Sequence, residues 1–257
     1  MEAVVFDNVT KQFSATGEMG QVVYYGVQNL SFSVDEGDMV AIVGPTGCGK
    51  STTFNLLMGL MPPTSGEIRV NGINPYADFD AFKGHLGIVF QNDRLLPWRT
   101  AIENAAIGLE VLGVSKTERL NRAGEWLKRL GLAGYENKYP HELSGGMKQR
   151  VAIARAFVMD PRIILCDESF SALDEVTATR LRQEFMELVR QGGKTGIFIT
   201  HSIEEAIQMG RRILVFAKPG RVIREFEVPA DLSAGEAVSL RQEILNIMQV
   251  AQPKGDS

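Results

Sequence analysis

Gly44-Pro45-Thr46-Gly47-Cys48-Gly49-Lys50-Ser51 has the spacing G-x-x-x-x-G-K-S, which suits the cradling of phosphate groups. Glycines let backbone N–H groups close round phosphate oxygens, and a helix N-terminus adds partial positive charge. Lys50 would reach the β- and γ-phosphates of a nucleoside triphosphate, and the Ser51 hydroxyl would hold Mg²⁺. Asp167 and Glu168 follow an apolar run, so both carboxylates fall at the C-terminal end of a buried strand, the ligand edge of an open parallel sheet. Phosphoryl transfer to water needs two carboxylates there, Asp167 for the metal shell and Glu168 to polarise the attacking water. A strand-end acidic pair facing solvent is the plainer alternative. Leu143-Ser144-Gly145-Gly146-Met147-Lys148-Gln149-Arg150 is a third chemical stretch. Its Ser-Gly-Gly offers a hydroxyl and free backbone amides at a helix start, a second anion site; a flexible helix entry is the alternative. One small protein seldom needs two phosphate sites, so this one should face the nucleotide of another copy.

The surrounding pattern supplies elements to position these groups. Met39 to Val43 reads as a buried strand ahead of the glycine loop. Phe54, Leu57, Met58 and Met61 then recur at helical spacing until Pro62-Pro63 stops the run. Before the loop, Ala3 to Phe6 and Gln28 to Val34 read as short strands, separated by a polar loop with Gly17 and Gly20 and by Val22-Val23-Tyr24-Tyr25. Phe13 could stack on a nucleotide base, with Tyr24 and Tyr25 as rivals and a core or hairpin role as the alternative. Residues 64–90 read as a further small sheet, with Asn71-Gly72 as a hairpin turn and Leu86 to Phe90 as an apolar strand ending at Gln91.

From about Asp93 to Asp160 the pattern becomes helical. Capping boxes open at Thr100 and Ser115; Leu120, Ala123, Leu127 and Leu130 make one apolar face. Met147, Val151, Ala154 and Val158 line another, ended by Asp160-Pro161. Strands then alternate with helices: Arg162 to Cys166, a helix through Leu181, Phe185 and Leu188, Gly196 to Thr200, and a helix capped at Ser202. Lys218-Pro219-Gly220-Arg221 predicts a type II turn between two last strands. A capping box from Ser233 to Glu236 starts a short terminal helix. Alternation of this kind implies a parallel-rich sheet with the helical stretch inserted.

The bulk properties narrow the function. At 257 residues and 44% hydrophobic content, the chain suits one large domain with a real core. A net charge of −4 argues against general nucleic-acid affinity. No apolar run approaches the roughly 18 residues of a membrane span, and Met1-Glu2-Ala3-Val4 lacks the start of a signal peptide. Two cysteines, Cys48 and Cys166, cannot form a disulfide framework, which suggests a reducing cytosol. Cys48 lies among amides at a helix start, so a lowered thiol pKa and inhibition by alkylation are expected, or else a small residue chosen for fit.

Together these stretches resemble the nucleotide-binding subunit of ATP-binding-cassette (ABC) transporters, over roughly residues 4 to 228. Gly44 to Ser51, with Thr52 following, matches the Walker A loop, and Gln91 the Q-loop glutamine. Leu143 to Arg150 matches the family signature and Ile163 to Glu168 Walker B. Ser171-Ala172-Leu173-Asp174 matches the D-loop, His201 the switch histidine and Phe13 the adenine-stacking aromatic. The resemblance implies a P-loop NTPase core with a parallel-rich sheet, an N-terminal antiparallel β subdomain and an inserted α-helical subdomain at about 93–160. It places one ABC ATPase domain at 1–230 and a helix and tail at 231–257. It also implies a head-to-tail dimer around two MgATP, with Ser144, Gly145 and Gly146 of one subunit facing Lys50 and Ser51 of the other. Gln91 would sense Mg²⁺, His201 would contact the γ-phosphate, and Glu168 would drive hydrolysis. Ser169 stands where the family usually has proline, implying a less stiff loop; Ser202 replaces the usual aspartate, and both cap a helix equally well.

The implied activity is ATP hydrolysis on the cytoplasmic face of the inner membrane. Its partners would be integral-membrane permease subunits, a second identical or paralogous cassette and, indirectly, an extracytoplasmic solute-binding protein. Leu95-Leu96-Pro97-Trp98-Arg99 is the segment the family presents to the permease, and with the hairpin at 218–223 it resembles the nitrate, sulfonate and taurine importers. A soluble ABC ATPase acting on ribosomes or DNA is the alternative, disfavoured by the single cassette and the lack of a long coiled coil or basic arm.

Overall fold

A computed structural model of the chain describes residues 1–17, 20–170 and 173–251. In chain order these form β1 (Glu2–Gly17), β2 (Gly20–Asp35), β3 (Met39–Val43), α1 (Lys50–Leu57), β4 (Ser65–Val70), α2 (Phe79–Phe82) and β5 (Leu86–Val89). The helical stretch follows as α3 (Ala101–Ala105), α4 (Ile107–Val111), α5 (Lys116–Arg129) and α6 (Gly145–Phe157). Then come β6 (Ile163–Asp167), α7 (Glu175–Gln191), β7 (Thr195–Thr200), α8 (Ile203–Met209), β8 (Arg212–Ala217), β9 (Arg221–Glu227) and α9 (Ala234–Val250). The chain divides into two units, Met1–Phe82 with Ile197–Ser257, and Lys83–Gly196.

In the first unit β2, β1 and β4 form an antiparallel sheet in that order. Strands β7, β3, β8 and β9 lie side by side, with β3 parallel to β8 and β9 antiparallel to it. Strand β3 is buried along its whole length, as expected of a run apolar on both faces. Helix α1 ends in a Schellman motif: Gly59 at φ 73° donates to Leu56 O, and Leu60 N donates to Asn55 O. In the second unit β5 pairs in parallel with β6, Val89 opposite Cys166. Helix α5 buries Ala123 and Leu127, and α6 buries Val151 and Ala154. The capping box at Thr100 is complete; Ser115 accepts from Glu118 N.

Five readings of local structure are corrected. Where a polar loop with Gly17 and Gly20 was expected between two short strands, β1 runs on to Gly17 and β2 starts at Gly20, each 16 residues long. Phe13 pairs with Tyr24 and Gln12 with Tyr25; a two-stranded ribbon accepts polar residues because it need not bury both faces. No separate sheet exists at 64–90: β4 pairs with β1 and β5 with β6. Asn71 and Gly72 do adopt the paired positive φ of a type I′ turn (50° and 76°), but only a single bridge, Val70 to Ile73, follows it. Helix α1 stops at Leu57, before Met61 and the prolines, because Gly59 takes the left-handed cap. The turn at 218–221 is not type II: the Lys218–Pro219 peptide is cis and Gly220 lies outside the positive-φ region. Gly220 is tied to β2 instead, donating to Gly26 O at 3.1 Å and accepting from Gln28 N at 3.1 Å. Finally, α9 is a full helix of 17 residues behind its complete Ser233 capping box, not a short one.

Candidate functional site

The glycine loop leaves β3 and turns into α1 through two left-handed residues, Gly47 (φ 73°) and Gly49 (φ 99°). Gly49 is where backbones converge: a methyl there would fall 2.4 Å from Gly26 O and 2.8 Å from the Gly220 Cα. Gly44 is equally crowded, 2.6 Å from Cys48 Sγ by the same measure. Close approach requires glycine at 44, and at 49 close approach and φ require it together. Lys50 is only 8% exposed. Its ammonium folds back on the loop, donating to Gly44 O at 2.6 Å and to Pro45 O at 3.2 Å. Carbonyl oxygens are neutral partners, so this buried charge is held inside the loop ready for an anion. Thr46, Gly47 and Ser51 are exposed, and Thr52 and Pro45 half-buried.

Cys48 corrects a sequence expectation. Its side chain is fully buried, and burial raises its thiol pKa, outweighing the pull of the Lys50 charge and of hydrogen bonds. Desolvation of a thiolate costs more than the nearby cation returns. The thiol is a packed small group, not an activated nucleophile.

Phe13 is half-buried and stacks on Tyr24, with ring centroids 5.3 Å apart and an interplanar angle of 20°. A methyl on Gly26 would fall 2.7 Å from Phe13 Cε2 and 2.8 Å from Thr52 Oγ1, so the ring edge lies against the start of α1. Of the three candidate rings, Phe13 and Tyr24 share one face of the hairpin, and Tyr25 takes the other. Lys218 went unnoticed in the sequence. A methyl on Gly47 would fall 3.1 Å from its Nζ, so this ammonium lies over the phosphate loop. The signal was there, a lysine at the head of a Pro-Gly turn, but no spacing rule connects residue 218 to residue 47. His201 is exposed at the β7–α8 junction. Ser202 caps α8 by accepting from Glu205 N at 3.2 Å, as expected. Glu205 in turn accepts from Thr200 Oγ1 at 2.6 Å.

In the second unit, Asp167 and Glu168 are half-buried at the end of β6, and Glu168 has φ 46°. A non-glycine residue in the left-handed region is uncommon, and such strain clusters at functional sites. Gln91 is exposed just beyond β5. Ser169 does not loosen the loop as its replacement of proline implied. It is buried, and its hydroxyl donates to Val89 O at 2.7 Å. Ser144 caps α6, accepting from Met147 N at 3.3 Å, and Ser144 and Gly145 are exposed. Gln149 in the same helix is buried with Nε2 unpartnered among the described residues. Ser171 and Ala172 of the expected D-loop lie outside the described residues; Asp174 caps α7, and the Thr177 backbone amide lowers its pKa.

The 95–99 segment is anchored by a residue the sequence reading passed over. Asn104, 1% exposed, accepts from Leu96 N at 2.7 Å and donates to the carbonyls of Leu96, Arg99 and Thr100 at 3.0–3.1 Å. Trp98 is thereby presented at 70% exposure beside a cleft of about 280 Å³. Arg99 on its rim pairs with Glu110 at 2.5 Å.

Comparison with known proteins fits this geometry. Residues 27–171 match the family model described as "ABC transporter". The chain is 39% identical over 251 residues to an uncharacterized ABC transporter ATP-binding protein of Methanocaldococcus jannaschii, spanning 95% of this chain and 90% of that one. It is 41% identical over 203 residues to the taurine import ATP-binding protein TauB of Yersinia pestis, 79% of this chain and 78% of that one. A dimeric ATP-binding cassette in a post-hydrolysis state with ADP and Pi superposes with a TM-score of 0.77 and 37% identity, over 88% of this chain and 99% of that one. The expected fold class stands: a P-loop NTPase core with parallel ladders, an antiparallel sheet and a helical subdomain. The chain belongs to the ATP-binding family of ABC transporters, and it is an ATPase.

Proposed function

We propose that the chain is the ATP-hydrolysing subunit of an ABC importer, which dimerises around two MgATP and drives an integral-membrane permease for nitrate-, sulfonate- or taurine-like anions. The observation that carries the reading is the start of α6, where Ser144 and Gly145 stand exposed. A helix start with free amides is an anion site, and a chain with its own phosphate loop seldom needs a second, so this one is read as serving the nucleotide of a partner cassette. Identity to a taurine import protein supports the importer class and the solute group. Trp98, exposed on a segment pinned by Asn104, supports docking of a permease. None of the helices among the described residues is long and apolar enough to cross a membrane. The permease is read as separate chains, with this subunit at the inner membrane's cytoplasmic face. Residues 1–230 are read as one ABC ATPase domain and 231–257 as an appended helix and tail.

The roles follow from the chemistry of each group. Lys50 would release its loop carbonyls to bind the β- and γ-phosphates, with Gly44 to Thr52 supplying amides and hydroxyls and Phe13 the base contact. Ser51, Gln91 and Asp167 would offer hydroxyl, amide and carboxylate oxygens, and the chemistry of these hard donors suits Mg²⁺. Bound there, the metal supplies charge neutralisation to the phosphates. Glu168 would orient and deprotonate the attacking water, His201 would contact the γ-phosphate, and the partner's signature helix would close the site.

The test is co-purification. The C-terminally tagged subunit is extracted from native membranes in mild detergent and its companions are identified by mass spectrometry. A small multi-span permease in the eluate is expected. A membrane-free eluate carrying ribosomal or DNA-repair proteins would replace the importer with a soluble ABC ATPase.

A further inference from the structure

We propose that Ser169 is a positioning residue for hydrolysis, a hydroxyl clip that holds Glu168 in its left-handed conformation and ties it to the strand leading into Gln91. The inference rests on the assignment of Glu168 above. Val89 is the last residue of β5, and its partner in the β6 ladder is Cys166. The pairing ends with this pair, one segment continuing to Phe90 and Gln91, the other to Asp167 and Glu168. Ser169 turns back onto this point. A hydroxyl has one proton, and here it goes to Val89 O at 2.7 Å. The Ser169 hydroxyl oxygen in turn accepts from the Cys166 thiol at 3.0 Å. Ser169 is only 3% exposed, so water does not compete for these bonds.

The clip has work to do because Glu168 sits at φ 46°. A left-handed non-glycine residue persists only where its surroundings over-determine it. Ser169 is the next residue, and its anchored side chain restricts how the Glu168 peptide can relax. Proline at 169 would stiffen the chain through its ring alone and could donate nothing to Val89. The serine instead binds the exit of one strand to the exit of the other, so a displacement of the Gln91 strand is felt at Glu168. A loosened clip misplaces the carboxylate while leaving the phosphate loop and the bound nucleotide unaffected.

The experiment is steady-state ATPase kinetics on the full chain with Ser169→Ala, Ser169→Cys and Ser169→Thr, each checked by thermal melt. Misplacing a reacting group by about 1 Å costs on the order of 100-fold, so Ser169→Ala and Ser169→Cys are expected to lower kcat roughly 10- to 100-fold. KM for ATP should stay within about twofold, and Ser169→Thr, which keeps the hydroxyl, should restore most of kcat. Ser169→Cys matches the serine in shape and serves if the alanine variant fails to fold. Wild-type kcat in both Ser169→Ala and Ser169→Cys, with Glu168→Gln inactive, would overturn the clip and leave the catalytic assignment standing. Turnover retained by Glu168→Gln would instead remove the assignment of Glu168, and the clip with it.

Discussion

Gly49→Ala tests the geometry of the phosphate loop at its tightest point. Two costs add. Alanine at φ 99° is strained by about 1–3 kcal/mol. Its methyl would also lie 2.4 Å from Gly26 O and 2.8 Å from the Gly220 Cα, both backbone atoms held by strand pairing, and overpacking of this kind costs about 1–3 kcal/mol. Gly37→Ala isolates the first cost, since Gly37 has φ 78° and nothing within 4 Å of the position a methyl would take. Gly49→Ala should therefore be less stable than Gly37→Ala by about 1–3 kcal/mol. At about 2–4 °C per kcal/mol for a chain of this size, that is a melting temperature lower by roughly 2–12 °C. Both variants are melted side by side without nucleotide, followed by circular dichroism. Equal melting temperatures would refute the convergence of Gly26, Gly49 and Gly220.

Two further outcomes are expected. Asn104→Leu removes the donor to Leu96 O and Arg99 O and the acceptor for Leu96 N. Buried groups left unpaired cost about 1–3 kcal/mol each. Trypsin should then cut after Arg99 several-fold faster than in wild type; an unchanged cutting rate would mean the segment is held by something else. Cys48, with its pKa raised above the ordinary 9.0 by burial, stays protonated in the folded chain where the unfolded chain ionises. The folded state then binds more protons, so this group's contribution to stability falls as pH rises above about 9. Cys48→Ala should flatten that part of the stability curve, and iodoacetamide should label folded Cys48 more slowly than a free thiol at pH 8. Rapid labelling, or an unchanged slope in the alanine variant, would contradict the burial argument.

The parts of the fold that were legible are those where local chemistry and tertiary packing agree. The run from Met39 to Val43 is apolar on both faces and is buried on both. Thr100, Ser144, Ser202 and Ser233 cap helices because a hydroxyl beside a free amide is a local arrangement. The failures share a cause in contacts distant along the chain. Gly220 escaped a type II turn because Gly26 and Gln28 claim its backbone. Cys48 lost its expected reactivity to burial that only the packed loop creates. Asn104, Lys218 and Ser169 gained their importance from Leu96, Gly47 and Val89, and none of these pairings follows a fixed sequence interval.

The central claim is that two copies close round ATP and that Glu168 then hydrolyses it. The most direct measurement is size-exclusion chromatography of Glu168→Gln with and without MgATP, alongside its ATPase rate. A monomer without nucleotide, a dimer with MgATP and turnover near zero are expected. A monomer under both conditions, or turnover at the wild-type rate, would contradict it.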